Sequence, residues 1–210
     1  MTEESGIRAL LIGVAEYDDV RFRDVPAAIN SVRAMQSVLT DPALCGWDAG
    51  SVSVLENPRR PVEVGHALRC AALESSEILL MYFVGHGTLN EEGELCLAVG
   101  ESVRSEMEFS GVEYKQLRRI LKKSIARTKI VILDCCYSGK AIEALAGDAD
   151  IADVAEVSGA YTLTAADQSA HVPSVADPMV RTSFTNALVD VVTQGVPGCG
   201  EFLSLSTIYV

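Results

Sequence analysis

The sequence predicts an α/β protein, a three-layer α/β/α sandwich around a mainly parallel central sheet. Five short apolar runs, rich in β-branched or aromatic residues, alternate with segments in which apolar residues recur every three or four positions. Neither an internal repeat nor a low-complexity tract interrupts the alternation, and the length of 210 residues suits one domain. Strands that alternate with helices form parallel sheets covered on both faces.

The predicted strands are short and bounded by turn residues. In chain order they are Ala9–Ile12, Val52–Leu55, Ile78–Val84, Ile130–Leu133 and Tyr161–Leu163. The longest, Ile78–Val84, is far too short to span a bilayer. Between the strands, stripes of apolar residues at helical spacing predict four helices. They run from Val25 to Leu39, with Pro26 in the first turn, and over 64–71, 114–121 and 184–192.

Composition excludes several classes of protein. A chain that is 49% hydrophobic and 22% charged can fill a core and is not disordered. Its net charge of -12 argues against nucleic-acid binding and anionic membranes, and it favours cationic partners such as Lys/Arg-rich peptides. The chain contains six cysteines, and its polar N-terminus does not resemble a signal peptide. We therefore expect reduced thiols and a cytoplasmic protein.

Chemically active residues follow two of these strands directly. The run Ile78–Val84 leads into Gly85–Gly87, with the sequence GHG, and Ile130–Leu133 leads into Asp134–Gly139, with the sequence DCCYSG. The carboxyl ends of parallel strands meet at one edge of a sheet, where α/β proteins place their functional sites. We therefore expect an imidazole and a thiol to lie close together at this edge.

His86 is the best candidate for a base that activates a cysteine. Of the other histidines, His66 lies within a helical pattern and His171 within a polar segment. A cysteine attacks as a thiolate, and a neighbouring histidine can take its proton and stabilise the charge. Without a side chain, Gly87 can bring its backbone N–H close to a reacting carbonyl. Together with the N–H of the attacking cysteine, it would form an oxyanion hole.

Two adjacent thiols, Cys135 and Cys136, are candidates for the nucleophile, and spacing alone does not choose between them. Neighbouring side chains on a strand point to opposite sides, so one faces the cleft and the other the interior. Each residue taken singly is explained as well by a structural role, since free cysteines often fill cores. The combination is more informative, because His86 lies 50 residues before Cys136 and both follow strands beside glycines. No CxxC or HxxxH spacing indicates a metal site.

In these motifs the sequence resembles the caspase and metacaspase superfamily of cysteine peptidases, and more closely the bacterial caspase-like peptidases of the effector-associated kind. The resemblance covers nearly the whole chain. The matching segments are Ala9–Gly13, Tyr82–Gly87, Ile132–Gly139 (which contains the D-x-C-x-S-G box), Ser158–Ala165 and Thr182–Thr185. The resemblance implies one caspase-like domain over residues 1–210, with a large-subunit-like part over about 1–146 and a small-subunit-like part over about 157–210. We expect this domain to belong to a longer protein.

The resemblance also implies the chemistry, which is hydrolysis of peptide bonds through a thioester acyl-enzyme. It assigns the nucleophile to Cys136 and the base and general acid to His86. The oxyanion-hole donors of the family fall on the backbone of Gly87 and Cys136. The family typically has no strict third catalytic residue, so none is assigned.

For substrate preference, the resemblance assigns Asp134 to the wall of the S1 pocket. Metacaspases cut after Arg or Lys, and a carboxylate in this pocket would pair with the P1 cation. A purely structural alternative is that Asp134 caps the next helix. The chain departs from the metacaspase pattern at Ser31, where an acid is common, and at Val84, where a small polar residue is common. Asp24 or Asp167 could replace the missing acid.

No cofactor is expected, although some metacaspases use Ca²⁺. The acids Asp148, Asp150, Asp153 and Glu156 lack the spacing of an EF-hand loop, so we interpret them as a solvated surface. The expected partners are protein or peptide substrates with basic residues, and sensor or effector-associated domains, with no nucleic acid and no membrane. The resemblance implies a role in bacterial signalling, defence or cell death.

Two other functions remain open on the sequence. A caspase-like fold could serve as a catalytically silent adaptor or binding module, against which the complete histidine and cysteine motifs argue. A nucleotide-binding α/β domain is a third hypothesis. It is disfavoured because neither GxGxxG nor GxxxxGK[ST] occurs.

Overall fold

The computed structural model describes residues 6–136, 160–164, 179–196 and 198. Their centre is a parallel sheet of five strands in the order β2-β1-β3-β7-β8, and a small antiparallel sheet has the order β4-β5-β6. The strands are β1 Ile7–Gly13, β2 Val52–Glu56, β3 Ile78–Val84, β4 Gly87–Leu89, β5 Leu95–Leu97, β6 Val112–Glu113, β7 Thr128–Asp134 and β8 Ala160–Thr164. All five predicted strands therefore form, in one parallel sheet.

Five α-helices occur in the described residues, and four of them correspond to the predicted apolar stripes. They are α1 Ala27–Thr40, α2 Pro61–Glu74, α3 Met107–Ser110, α4 Tyr114–Lys123 and α5 Ser183–Gln194. Pro61 occupies the first turn of α2, where the N–H that it lacks has no helical partner. The Thr182 side chain caps α5 by accepting from the N–H of Thr185. None of the described helices has the length and apolar character needed to cross a membrane.

The side chains of β1 show how the strands fill a core on each face of the sheet. Leu10 and Ile12 belong to a buried cluster with residues of α2 and α4, whereas Ala9 and Leu11 belong to a second cluster with residues of α1 and α5. This alternation follows from the two-residue period of a strand. The expected three-layer sandwich is therefore present, with a mainly parallel sheet at its centre.

The small antiparallel sheet was not predicted. Its strand β4 begins at Gly87, immediately after His86, and pairs with β5 from Gly87–Leu97 to Leu89–Leu95. The N–H of Ala98 donates to the carbonyl of His86 at 2.9 Å. This sheet therefore fixes the backbone that leaves β3 at the position of the imidazole.

Candidate active site

The histidine and cysteine motifs extend two neighbouring strands. In the β3–β7 pair, Val84 lies opposite Asp134, and the N–H of Gly85 donates to the carbonyl of Asp134 at 3.3 Å. His86 and Cys136 are each two residues beyond this matched pair. The two motifs therefore leave the sheet side by side at the same edge, as expected from the sequence.

Gly87 brings the two motifs into direct backbone contact. A Cβ atom at this position would overlap the carbonyl oxygen of Cys136 and would lie 3.0 Å from the Cys135 Sγ. Because no side chain fits there, glycine is needed for the GHG turn to approach the cysteine backbone this closely.

The His86 ring is held by a hydrogen bond to the main chain after β1. Its Nε2 lies 2.7 Å from the carbonyl oxygen of Arg23. A carbonyl only accepts, so Nε2 carries the proton and Nδ1 of the neutral ring is the acceptor. Burial lowers the pKa of His86, the Arg23 carbonyl opposes this, and the nearby Arg104 cation lowers the pKa further. The imidazole is therefore held mainly neutral at neutral pH.

Two aromatic side chains pack against this imidazole. The ring centroids of Tyr17 and Phe22 lie 5.0 Å and 5.3 Å from that of His86, and 5.4 Å from each other. The Tyr17 hydroxyl accepts from the backbone N–H of His86 and donates to the carbonyl of Val14, each at 3.0 Å. Arg104 stacks on Phe22 with its guanidinium carbon 5.6 Å from the ring centroid.

Sequence reasoning missed these neighbours of the imidazole. Tyr17, Phe22 and Arg23 follow β1, whose carboxyl end lies beside that of β3 in the sheet. The rule that sites gather at the carboxyl ends of strands would have indicated this segment. The site residues predicted from the strand ends follow only β3 and β7.

The two adjacent cysteines have different surroundings. Cys135 is completely buried, and burial raises the pKa of its thiol well above the usual value, with smaller contributions from Asp134 and Cys136. Cys136 is half-buried. None of the five cysteines in the described residues forms a disulfide, and Cys199 lies outside them. Of the adjacent pair, Cys136 therefore has the greater access to solvent.

Asp134 lies in a buried polar cluster. Its Oδ2 accepts hydrogen bonds from the hydroxyls of Thr182 and Thr185, the second at 2.6 Å. Its Oδ1 is buried and has no hydrogen-bond partner among the described residues. Burial raises the pKa of this carboxyl, and the two hydroxyls oppose the rise. The carboxylate thus sits at the N-terminus of α5, where the helix dipole favours a negative charge.

The positions that depart from the metacaspase pattern have different surroundings. The Ser31 hydroxyl is buried and lies 3.3 Å from the Thr182 hydroxyl, so Ser31 belongs to the cluster around Asp134. Val84 is buried in the core. Asp24 instead accepts from the N–H of Tyr17 at 3.3 Å, near the imidazole.

Asp167 lies outside the described residues, as do the four acids considered for Ca²⁺, Asp148, Asp150, Asp153 and Glu156. Within the part of the chain that the structure describes, no group of three or more His, Cys, Asp or Glu residues could hold a metal ion.

The family model for the caspase domain matches residues 7–207. The chain belongs to the caspase-domain family. This is a family of cysteine peptidases, and its active members act on protein substrates.

Solved structures agree with this fold. Caspase-1 from Spodoptera frugiperda superposes with a TM-score of 0.63 at 12% identity, over 91% of this chain and 70% of that one. A structural-genomics protein from Geobacter sulfurreducens superposes with a TM-score of 0.59 at 16% identity, over 90% and 82% of the two chains. At these identities the similarity shows the fold alone. None of the curated proteins matches the chain.

Proposed function

We propose that this caspase domain is an active cysteine endopeptidase with a Cys136–His86 dyad and a preference for Arg or Lys at P1. The observation that carries the proposal is the junction of the GHG and DCCYSG motifs, where Gly87 lies against the Cys136 backbone. The bacterial signalling, defence or cell-death setting and the cytoplasmic location are part of the same proposal.

The position of the proton on the His86 ring supports the first step, which is activation of the Cys136 thiol. With the Nε2 proton donated to the Arg23 carbonyl, Nδ1 is available to accept the proton of the Cys136 thiol. The thiolate attacks the substrate carbonyl carbon and forms a C–S bond. As the C–N bond breaks, Nδ1 returns the proton to the leaving amine. Water then attacks the thioester carbonyl carbon and the C–S bond breaks. The hydroxyl group of the water stays on the acyl product, and its other proton passes through Nδ1 to the Cys136 sulfur, which restores the thiol.

Stabilisation of the oxyanion is assigned to the N–H groups of Gly87 and Cys136. Backbone donors of this kind act best when they are fixed before the reaction, because no reorganisation is then needed. The contact between the two backbones and the pairing of β4 with β5 support such rigidity.

The preference for a basic P1 residue is assigned to Asp134. A buried carboxylate with one oxygen that lacks a partner among the described residues favours a cation that brings donors of its own. Ser31 stands beside the same cluster without adding a second negative charge. A single buried carboxylate would still distinguish Arg from a neutral side chain of the same shape.

Active-site labelling tests the dyad. An Arg-containing peptide with a thiol-directed reactive group should modify the wild type on Cys136 and should not modify Cys136→Ala. His86→Ala should slow the labelling strongly, and Cys70→Ala, which removes an exposed thiol on α2, should leave it unchanged. Thermal melting checks that each variant folds. If Cys136→Ala cleaves Arg peptides as fast as the wild type, the assignment is wrong, and if the folded wild type neither cleaves nor reacts, the domain is a silent binding module.

A pair of substrates tests the S1 assignment. Citrulline has nearly the shape of arginine without its charge, so the ratio of kcat/KM for the two P1 residues isolates the carboxylate. Asp134→Asn should lower the arginine-to-citrulline ratio of kcat/KM roughly 10- to 150-fold, because hydrogen bonds to charged groups contribute about 1.5–3 kcal/mol. The control Asp190→Asn removes an exposed carboxylate from α5 and should leave the ratio unchanged. An unchanged ratio in Asp134→Asn would disprove the assignment.

A further inference from the structure

Helices α2 and α4 form a surface channel, here called the α2–α4 groove. Two adjoining cavities of about 590 Å³ and 270 Å³ make up the groove, and both are lined by Arg69, Leu73 and Ile120. The smaller cavity extends to Ser124, just after α4 and before β7. This end of the groove therefore lies toward the amino ends of the strands, away from the edge that carries Cys136.

Part of the groove wall is apolar and open to solvent. Leu73 is 80% exposed and Val62 is 65% exposed, and both line the larger cavity. Single exposed apolar side chains are common, but here two of them line a channel whose lining also includes Ile120. A partner with apolar side chains would remove this surface from water.

The remaining lining is basic, although the whole chain has a net charge of -12. Arg69, Arg119 and Lys123 line the smaller cavity. Within the part of the chain that the structure describes, no carboxylate lies within ion-pairing distance of these three cations. The groove therefore presents cations that the described chain leaves uncompensated.

The acids of these helices are engaged elsewhere. On α2, Glu63 pairs with Arg60 and Glu74 pairs with Arg8. Helix α4 has no acidic residue. The helix dipole accounts for Lys123 in the last turn of α4, but it does not account for the like charges of Arg119 and Lys123 one turn apart, which repel each other. No ion pair within the described residues offsets this repulsion.

We propose that the α2–α4 groove binds an acidic segment of a partner protein that also carries apolar side chains. The cations complement the charge of such a segment, and Leu73 and Val62 contact its apolar residues, as in a helix that lies in a groove. A nucleic acid fits less well, because it does not match the apolar wall and is repelled by the net charge of the chain. This proposal does not depend on the proposed peptidase activity.

Selection from a random displayed-peptide library tests the proposal on the full chain. Immobilised wild-type protein should enrich peptides that are rich in Asp and Glu and contain Leu, Ile or Phe. The same selection on Arg119→Glu should lose these sequences. Fluorescence anisotropy with one enriched peptide then measures affinity, which we expect to fall roughly fivefold or more in Arg119→Glu and in Lys123→Glu. Leu73→Ser should also weaken binding.

The control is Arg33→Glu, which changes the net charge equally on α1, on the opposite face of the sheet. Arg33→Glu should bind the peptide within twofold of the wild type. Equal weakening in Arg119→Glu and Arg33→Glu would overturn the proposal, because it indicates unspecific attraction. Enriched peptides without excess acid would also overturn it. A wild-type dimer that Arg119→Glu converts to a monomer would also overturn the proposal, because the groove would then be covered by a second copy of this chain.

Discussion

The Thr185 hydroxyl links three elements of the fold, which makes Thr185→Val a sharp test of the polar cluster around Asp134. Thr185 is completely buried and donates to the Asp134 carboxylate at 2.6 Å. Its oxygen also lies 2.6 Å from the Tyr82 hydroxyl. Because the Thr185 proton goes to the carboxylate, Tyr82 is the donor in the second bond. Valine has nearly the same shape but removes both bonds.

The expected cost follows from these two bonds. Removing a partner of a buried polar group costs about 1–3 kcal/mol, and bonds to a carboxylate lie at the upper end. Asp134 keeps Thr182, so we expect Thr185→Val to lower the free energy of unfolding by about 2–4 kcal/mol. Urea unfolding measures this change, and the fluorescence of Trp47, the single tryptophan, which packs against the core beside α1, reports the transition.

Thr193→Val provides the matched control on the same helix. Thr193 is exposed, and its hydroxyl donates to the carbonyl of Val189 one turn earlier at 2.8 Å. Its loss should change the free energy of unfolding by at most about 0.5 kcal/mol. The reasoning is refuted if Thr185→Val is no more destabilising than Thr193→Val.

Three further changes address the site itself. Gly87→Ala should destabilise the protein by about 1–3 kcal/mol in urea unfolding, because the new methyl group overlaps a cysteine carbonyl. Gly65→Ala, in open space on α2, should instead stabilise it, and equal effects would contradict the argument. Arg104→Gln should raise the pKa of His86 in an NMR titration, because a cation that lowers this pKa is removed; an unchanged pKa would exclude that cause. Asp134 has a raised pKa in the folded state, so the native protein binds its proton more tightly than the unfolded chain does. The free energy of unfolding of the wild type, relative to that of Asp134→Asn, should therefore fall as the pH rises from about 4 through the raised pKa. Urea unfolding of both proteins at several pH values measures this difference. A difference that stays constant with pH would contradict the prediction.

The parallel sheet was predictable because its strands carry their own signal. A run such as Ile78–Val84 is apolar throughout, as expected for a strand covered on both faces, and β3 has these same bounds. The small sheet was not predictable, since β4, β5 and β6 have only two or three residues each. Segments this short show no period that distinguishes a strand from a turn.

The candidate site was likewise predictable only in part. His86 and Cys136 were found because each follows a strong strand. Their roles stay predictions, as does the role of Asp134. The hydrogen bond between His86 and the Arg23 carbonyl could not be predicted from the sequence. Any residue type supplies a main-chain acceptor, and Arg23 lies far from His86 along the chain. The hydrogen bonds from the hydroxyls around Asp134 could not be predicted either. Thr182 follows Asp134 by 48 residues, and its role as the cap of α5 already explains its residue type.

The residue-by-residue match of β3 with β7 has a consequence for how the two halves of the site vary together. A slip of one position would move one motif about 3.3 Å along the other and would turn every side chain of that strand to the wrong layer. Phe83 and Leu133, both fully buried opposite each other, oppose such a slip. Interior packing therefore sets the position of the imidazole relative to the thiol. Surface segments elsewhere can change in length or sequence without disturbing that alignment.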